Sequence, residues 1–186
     1  MNWDQGGTII RNLDDALAPA RLAAYDVQVG IRSQIKNGAE VVRAIRRILE
    51  VAREAGVKVF YTRHLSLARK LMGATAMAWQ RTDDRTAISP WFLRDSPGFQ
   101  IMPDIVPRDD EAIFDKITIS AFESTPLVIA LRDCGITAVM LVGIALEVGI
   151  EPSVRHAADL GFVPIVVTDA CGTGNPDAAA RSRIHQ

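Results

Sequence analysis

Ala138-Val139-Met140-Leu141-Val142-Gly143-Ile144-Ala145-Leu146-Glu147-Val148-Gly149 is an apolar run that passes into a turn bounded by glycines. The run Ala138 to Val142 is too continuously apolar to alternate between core and solvent, so it predicts a strand covered on both faces, the mark of a parallel sheet. The turn Gly143 to Gly149 then links that strand to a helix N-terminus, where unpaired N–H groups and the helix dipole favour an anion and suit an oxyanion hole. Taken alone, the same residues read first as an ordinary strand-to-helix connection, with glycines placed for their dihedrals. The following helix is expected from near Val148 to Leu160, and Pro152 requires that it either start late or bend its first turn.

Outward from this stretch the pattern repeats. Arg21 to Val27, Val57 to Thr62, Ala112 to Phe114 and Val163 to Thr168 are further short apolar runs, separated by longer amphipathic segments. Alternation of this kind predicts an α/β fold, a three-layer α-β-α Rossmann-like arrangement with a mainly parallel sheet flanked by helices. Helix ends are readable. Asn37 and Glu40 stand in capping-box spacing before Val41, Val42, Ile45, Ile48, Val51 and Ala52, and Gly56 closes that helix. Thr125-Pro126 opens another that Gly135 ends, with Cys134 before it read as packing; Asn175-Pro176 repeats the start signal.

With 186 residues, 48% of them hydrophobic, the chain suits one domain over 1–186 with a substantial core. Its 21 basic and 22 acidic residues leave a formal net charge of -1 without long runs of either sign, which gives no footprint for nucleic acid. No stretch approaches the roughly 18 apolar residues of a membrane span, and Met1 to Asn12 does not read as a signal peptide. A cytoplasmic protein with a small-molecule partner is expected. Cys134 and Cys171, the only cysteines, make neither a disulfide framework nor a metal pair. Between Leu65 and Val106 the periodicity lapses, and Met72, Met77, Trp79, Trp91, Phe92 and Phe99 are scattered among glycines, prolines and charges. This irregular segment, 65–106, reads as a cover over a site, an oligomer contact or plain core packing.

In an open parallel sheet ligands gather at the carboxyl ends of strands. That criterion selects Asp26 with Gln28, then Asp115 and Lys116, then Gly143 to Gly149, then Asp169 and Cys171. Asp26 follows Ala23, Ala24 and Tyr25, an apolar setting in which a carboxylate needs a cation, and Lys116 is the candidate. Such a pair serves as general acid or base, or merely as a self-satisfied buried ion pair. His64 and Arg63 after the second strand are candidate substrate contacts, or a surface or satisfied histidine and a solvated arginine; Trp79 and Trp91 are candidate pocket walls or subunit-interface residues. Cys171 is either a nucleophile or a small buried hydrophobe. Gly172-Thr173-Gly174-Asn175 lacks the lysine of a P-loop and reads as a turn and cap.

Tyr25-Asp26-Val27-Gln28, Phe114-Asp115-Lys116 with Ser120-Ala121-Phe122, and Gly143-Ile144-Ala145-Leu146-Glu147-Val148-Gly149 together resemble the isochorismatase-like (cysteine hydrolase) superfamily, over about residues 19 to 174. The resemblance implies a cofactor-free hydrolase whose catalytic set is Asp26, Lys116 and the position of Gly149, where the family's nucleophilic cysteine is missing. Members with glycine there, the isochorismatases, are understood to protonate a vinyl ether from the aspartate without a covalent intermediate. By the same resemblance Ala145 and Gly149 supply backbone N–H groups to substrate, Ile144, His64 and Gln28 contact it, and the Ile144–Ala145 peptide is cis. A homo-oligomer is implied as well. No metal is expected, because no second histidine follows His64 within Leu65 to Lys70. The substrate implied is a small carboxylated or amide-like molecule. The alternatives are a non-catalytic ligand-binding relative and a cysteine amidase using Cys171.

Overall fold

The computed structural model describes residues 21–32, 34, 35 and 37–184. The N-terminal reading of Met1 to Asn12 therefore lies outside the described residues, as does the side chain of Trp79. Five strands form one sheet: β1 (Arg21–Tyr25), β2 (Val59–His64), β3 (Ala112–Lys116), β4 (Ala138–Ile144) and β5 (Val163–Gly172), in the order β3-β2-β1-β4-β5. Every pairing is parallel. From β1 in the middle, the described chain builds outward to β3, then returns to build the other half. The direction reverses between β1 and β4, and that switch point opens the crevice used by ligands in such sheets.

The alternation along β4 shows why its run has to be apolar throughout. Val142 and Ile144 enter one core with Val41, Val42, Ile45 and Leu49 of the long helix α2 (Gly38–Glu54). Val139 and Leu141 enter the opposite core with Leu127 and Leu131 of α4 (Leu127–Asp133), Ala157 of α5 (Glu151–Asp159) and Ala179 of α6 (Pro176–Ile184). Helices thus cover both faces in three layers. Two short helices, α1 (Val29–Arg32) and α3 (Ala74–Gln80), complete the set among the described residues.

Several boundaries differ from the sequence expectation, each for a local reason. Strands β2 to β5 run past their apolar cores to His64, Lys116, Ile144 and Gly172, because ladder hydrogen bonds between parallel neighbours do not depend on apolar side chains. Conversely β1 ends at Tyr25: Asp26 turns to φ 44°, which breaks the extended chain. The capping box at Asn37 and Glu40 is not formed. Asn37 has φ -100°, ψ 28° and makes no side-chain cap, while its carbonyl takes the N–H groups of Glu40 and Val41 at 3.0 and 3.2 Å. Gly56 and Gly135 do stop their helices, at φ 68° and 65°. Thr125 Oγ1 accepts from Leu127 N at 3.3 Å, and Asn175 Oδ1 from Ala178 N at 3.1 Å. Cys134 is exposed rather than packed, since it sits at the solvent-facing end of α4.

The segment 65–106 folds as a chain of tight turns around α3 rather than as long elements, which is why no period runs through it. Its second half is anchored by apolar side chains, for Phe99, Met102 and Ile105 are all buried.

Candidate functional site

Asp26 is the first residue beyond β1, and its N–H donates to Thr62 O at 3.1 Å, which fixes it at the switch point. A left-handed backbone is tolerated better by aspartate and asparagine than by most residues. Lys116, the last residue of β3, reaches across the end of β2 and places Nζ 2.7 Å from Asp26 Oδ2. The two side chains are 1% and 5% exposed for lysine and aspartate respectively. Thr62 Oγ1 donates to Asp26 Oδ1 at 3.1 Å, and Lys116 Nζ also donates to Thr118 O at 3.1 Å. Both carboxylate oxygens are thus engaged, and the lysine is locked behind them.

A cavity of about 380 Å³ lies over this pair. Asp26 forms part of its wall; so do His64, Ile144 and Ala145, with Phe92, Trp91 and Leu65 from the irregular segment. That segment is therefore a cover, and Trp91 combines cavity lining with an exposed edge. The Ile144–Ala145 peptide at the cavity floor is cis.

Other expected residues are placed differently. Gly149 is buried, and its N–H is not free: Val148, Gly149 and Ile150 direct their N–H groups at the single carbonyl of Ala145, at 3.3, 3.1 and 3.2 Å. This wide turn precedes α5 and lets Pro152 enter the first turn of the α-helix, where its missing N–H costs least. It also removes Gly149 from the set of oxyanion donors. Its carbonyl accepts from Ser153 Oγ at 2.6 Å, and the same hydroxyl accepts from Ala121 N at 3.0 Å. Ser153, which no motif or periodicity singles out, so ties the Ser120-Ala121-Phe122 turn to the start of α5.

Gln28 is wholly buried and clamps backbone instead of substrate. Its Nε2 donates to His64 O and Phe99 O, both at 3.0 Å, while Oε1 accepts from His64 N at 2.7 Å. Arg63 is neither free for a ligand nor solvated: it pairs with Asp115 at 2.8 Å and lies 4.2 Å over the Phe99 ring. Cys171 is 3% exposed within the core that faces away from α2, its thiol donating to Val167 O at 3.2 Å. Asp169 is exposed on β5. The N–H groups of Gly174 and Asn175 are taken by Glu147 Oε1, at 2.9 and 2.8 Å, so that loop holds a carboxylate of its own chain.

Burial pushes the His64 imidazole below its ordinary range; the Asp26 carboxylate opposes that shift, Lys116 adds to it, and a backbone hydrogen bond at Thr118 opposes it. The native state thus holds His64 neutral where the unfolded chain, near its usual value of about 6.5, takes up a proton. Stability should fall as pH drops below that value and be fully present above it. Urea midpoints at pH 5.5 and 7.5 will differ less in His64→Gln than in the parent; an unchanged difference would discard this assignment.

The isochorismatase domain family matches residues 21–184. The chain belongs to the isochorismatase family. An isochorismatase family protein of Bacillus subtilis (strain 168), YwoC, is 36% identical over 74 residues, 40% of this chain and 39% of that protein, so the shared stretch spans about two fifths of the relative. An isochorismatase family protein from Desulfovibrio vulgaris subsp. vulgaris str. Hildenborough shares the fold with a TM-score of 0.78 at 21% identity, over 90% of this chain and 88% of that one. A cysteine hydrolase from Pseudomonas syringae pv. phaseolicola 1448A does so with a TM-score of 0.75 at 23% identity, over 90% and 82%. Within this isochorismatase-family fold, the position read as the nucleophile's is a buried glycine.

Proposed function

We propose that this isochorismatase-family chain hydrolyses a small molecule with water as the nucleophile, using Asp26 as general acid/base and Lys116 as its charge partner. The observation that carries this reading is the placement of the buried pair: Asp26 faces the cavity, and Lys116 is sealed behind it. A self-satisfied ion pair in the core would have no cavity over one partner. Asp26 takes a proton from the attacking water and returns it to the leaving atom, so the pair ends as it began. Lys116 stays protonated at its rear while the proton moves at the front, so the pair passes from net neutral to a single positive charge and back. Ile144 and Ala145 form the floor on which substrate rests. Gly149 offers no side chain to attack, and no acyl-enzyme is formed there.

The burial of Cys171 weighs against its use as a substitute nucleophile. Cys134 is exposed but lies at the far end of α4. Iodoacetamide should therefore alkylate Cys134 and leave turnover within about twofold of the untreated protein, and Cys171→Ser should be equally active, whereas Asp26→Asn should be inactive on the same substrate. Loss of turnover on alkylation or in Cys171→Ser would replace this mechanism by a thiol one. Turnover kept in Asp26→Asn would remove Asp26 from the catalytic role, and absence of turnover in the parent would leave a ligand-binding relative.

A further inference from the structure

The walls of the cavity are mostly hydrocarbon, with Ile31, Leu67, Met72, Phe92, Ile117 and Val148 around the opening above Asp26. Among the described residues no lysine or arginine lines it, while two carboxylate side chains do, Asp26 and Glu147. Three of the neighbouring cations among the described residues are committed elsewhere. Lys116 is held by Asp26, and Arg63 and Arg94 both pair with Asp115, at 2.8 and 2.7 Å. Among the described residues Glu147, unlike Asp26, has no cationic partner. Its Oε1 takes the two N–H groups of the Gly174–Asn175 turn, while Oε2 is withdrawn from solvent without a hydrogen-bond partner.

An anionic group entering such a cavity loses its hydration, gains no cation and meets like charge. We infer that the site selects a substrate without negative charge, an uncharged amide or ester carried on an apolar body, and that Glu147 is the residue that rejects anions. The inference rests on the reading that the cavity beside Asp26 is where substrate binds, and of the two classes expected from the sequence, carboxylated or amide-like, it keeps the second. The volume sets the size. A cavity of roughly 150 Å³ accepts benzene, so 380 Å³ holds a ring and a chain of several atoms.

The test uses two probes of nearly equal shape, 4-phenylbutanamide and 4-phenylbutanoate, titrated into the full chain at pH 7.5 by calorimetry. The amide should bind at least about tenfold more tightly than the carboxylate. In Glu147→Gln, which keeps an acceptor for Gly174 and Asn175, the carboxylate should gain several-fold and the ratio should narrow. A carboxylate that binds as well as the amide, a ratio unchanged in Glu147→Gln, or failure of both probes to bind would each overturn the inference. Binding is read without turnover, so the two proposals fail separately. Amide selectivity in a chain that hydrolyses nothing would sink only the hydrolase reading, and carboxylate selectivity in a chain inactivated by Asp26→Asn would sink only this one.

Discussion

Lys116→Met will lower the unfolding free energy by about 3–5 kcal/mol, measured by urea denaturation at pH 7.5, the range found when one partner of a buried ion pair is removed. The size follows from what is left behind. Asp26 is 4% exposed, and without the ammonium at 2.7 Å its carboxylate keeps only the Thr62 hydroxyl as a side-chain donor. Methionine matches the hydrocarbon of lysine, so packing is largely retained and the loss is electrostatic. The double variant Asp26→Asn, Lys116→Met should recover much of the stability, because asparagine keeps the left-handed turn and a neutral pair leaves no charge uncompensated. A loss below about 1 kcal/mol in the single variant would show that water reaches Asp26 freely, and would remove the basis for treating Lys116 as its obligatory partner.

That pair joins residues separated by 90 positions, yet it is legible in the amino-acid sequence because two rules converge on it. Strand ends hold ligands in parallel sheets, and an acid after an apolar run needs a cation; Asp26 and Lys116 satisfy both. The sheet is legible for a similar reason, since β4 serves two cores and cannot alternate. What is not legible depends on distant partners or on single dihedrals. Gly149 reads as an exposed donor because its position before α5 is visible in the sequence, whereas the carbonyl of Ala145, which takes three N–H groups, is not. Gln28 reads as a substrate contact by its place after β1, but its amide fits a backbone clamp formed by His64 and Phe99, residues brought to it only by folding. The irregular segment shows its aromatic anchors in the sequence but not its turns. Glu147 stands as the one charge in an apolar turn, and that contrast is the signal that marks it as part of the site.

Asp26→Asn should reduce kcat by about 10²–10⁴, or roughly 3–5 kcal/mol of barrier, while the far-UV circular dichroism stays that of the parent. Asparagine is the right substitution for two reasons. It is among the few residues that accept φ near 44°, so the turn after β1 survives, and it keeps an oxygen for the Thr62 hydroxyl. Alanine would add backbone strain and a lost hydrogen bond to the chemical defect, and would confuse the two. Asparagine still leaves Lys116 buried beside a neutral group, so a lower melting temperature is expected, and activity has to be measured well below it. The split between kinetic constants then distinguishes chemistry from mere disorder. Loss of a proton shuttle should fall on kcat, with KM changed by no more than a few-fold, because the apolar walls that bind substrate are untouched. A large rise in KM at constant kcat would mean that Asp26 only holds the ligand, and would assign the proton transfer to another group.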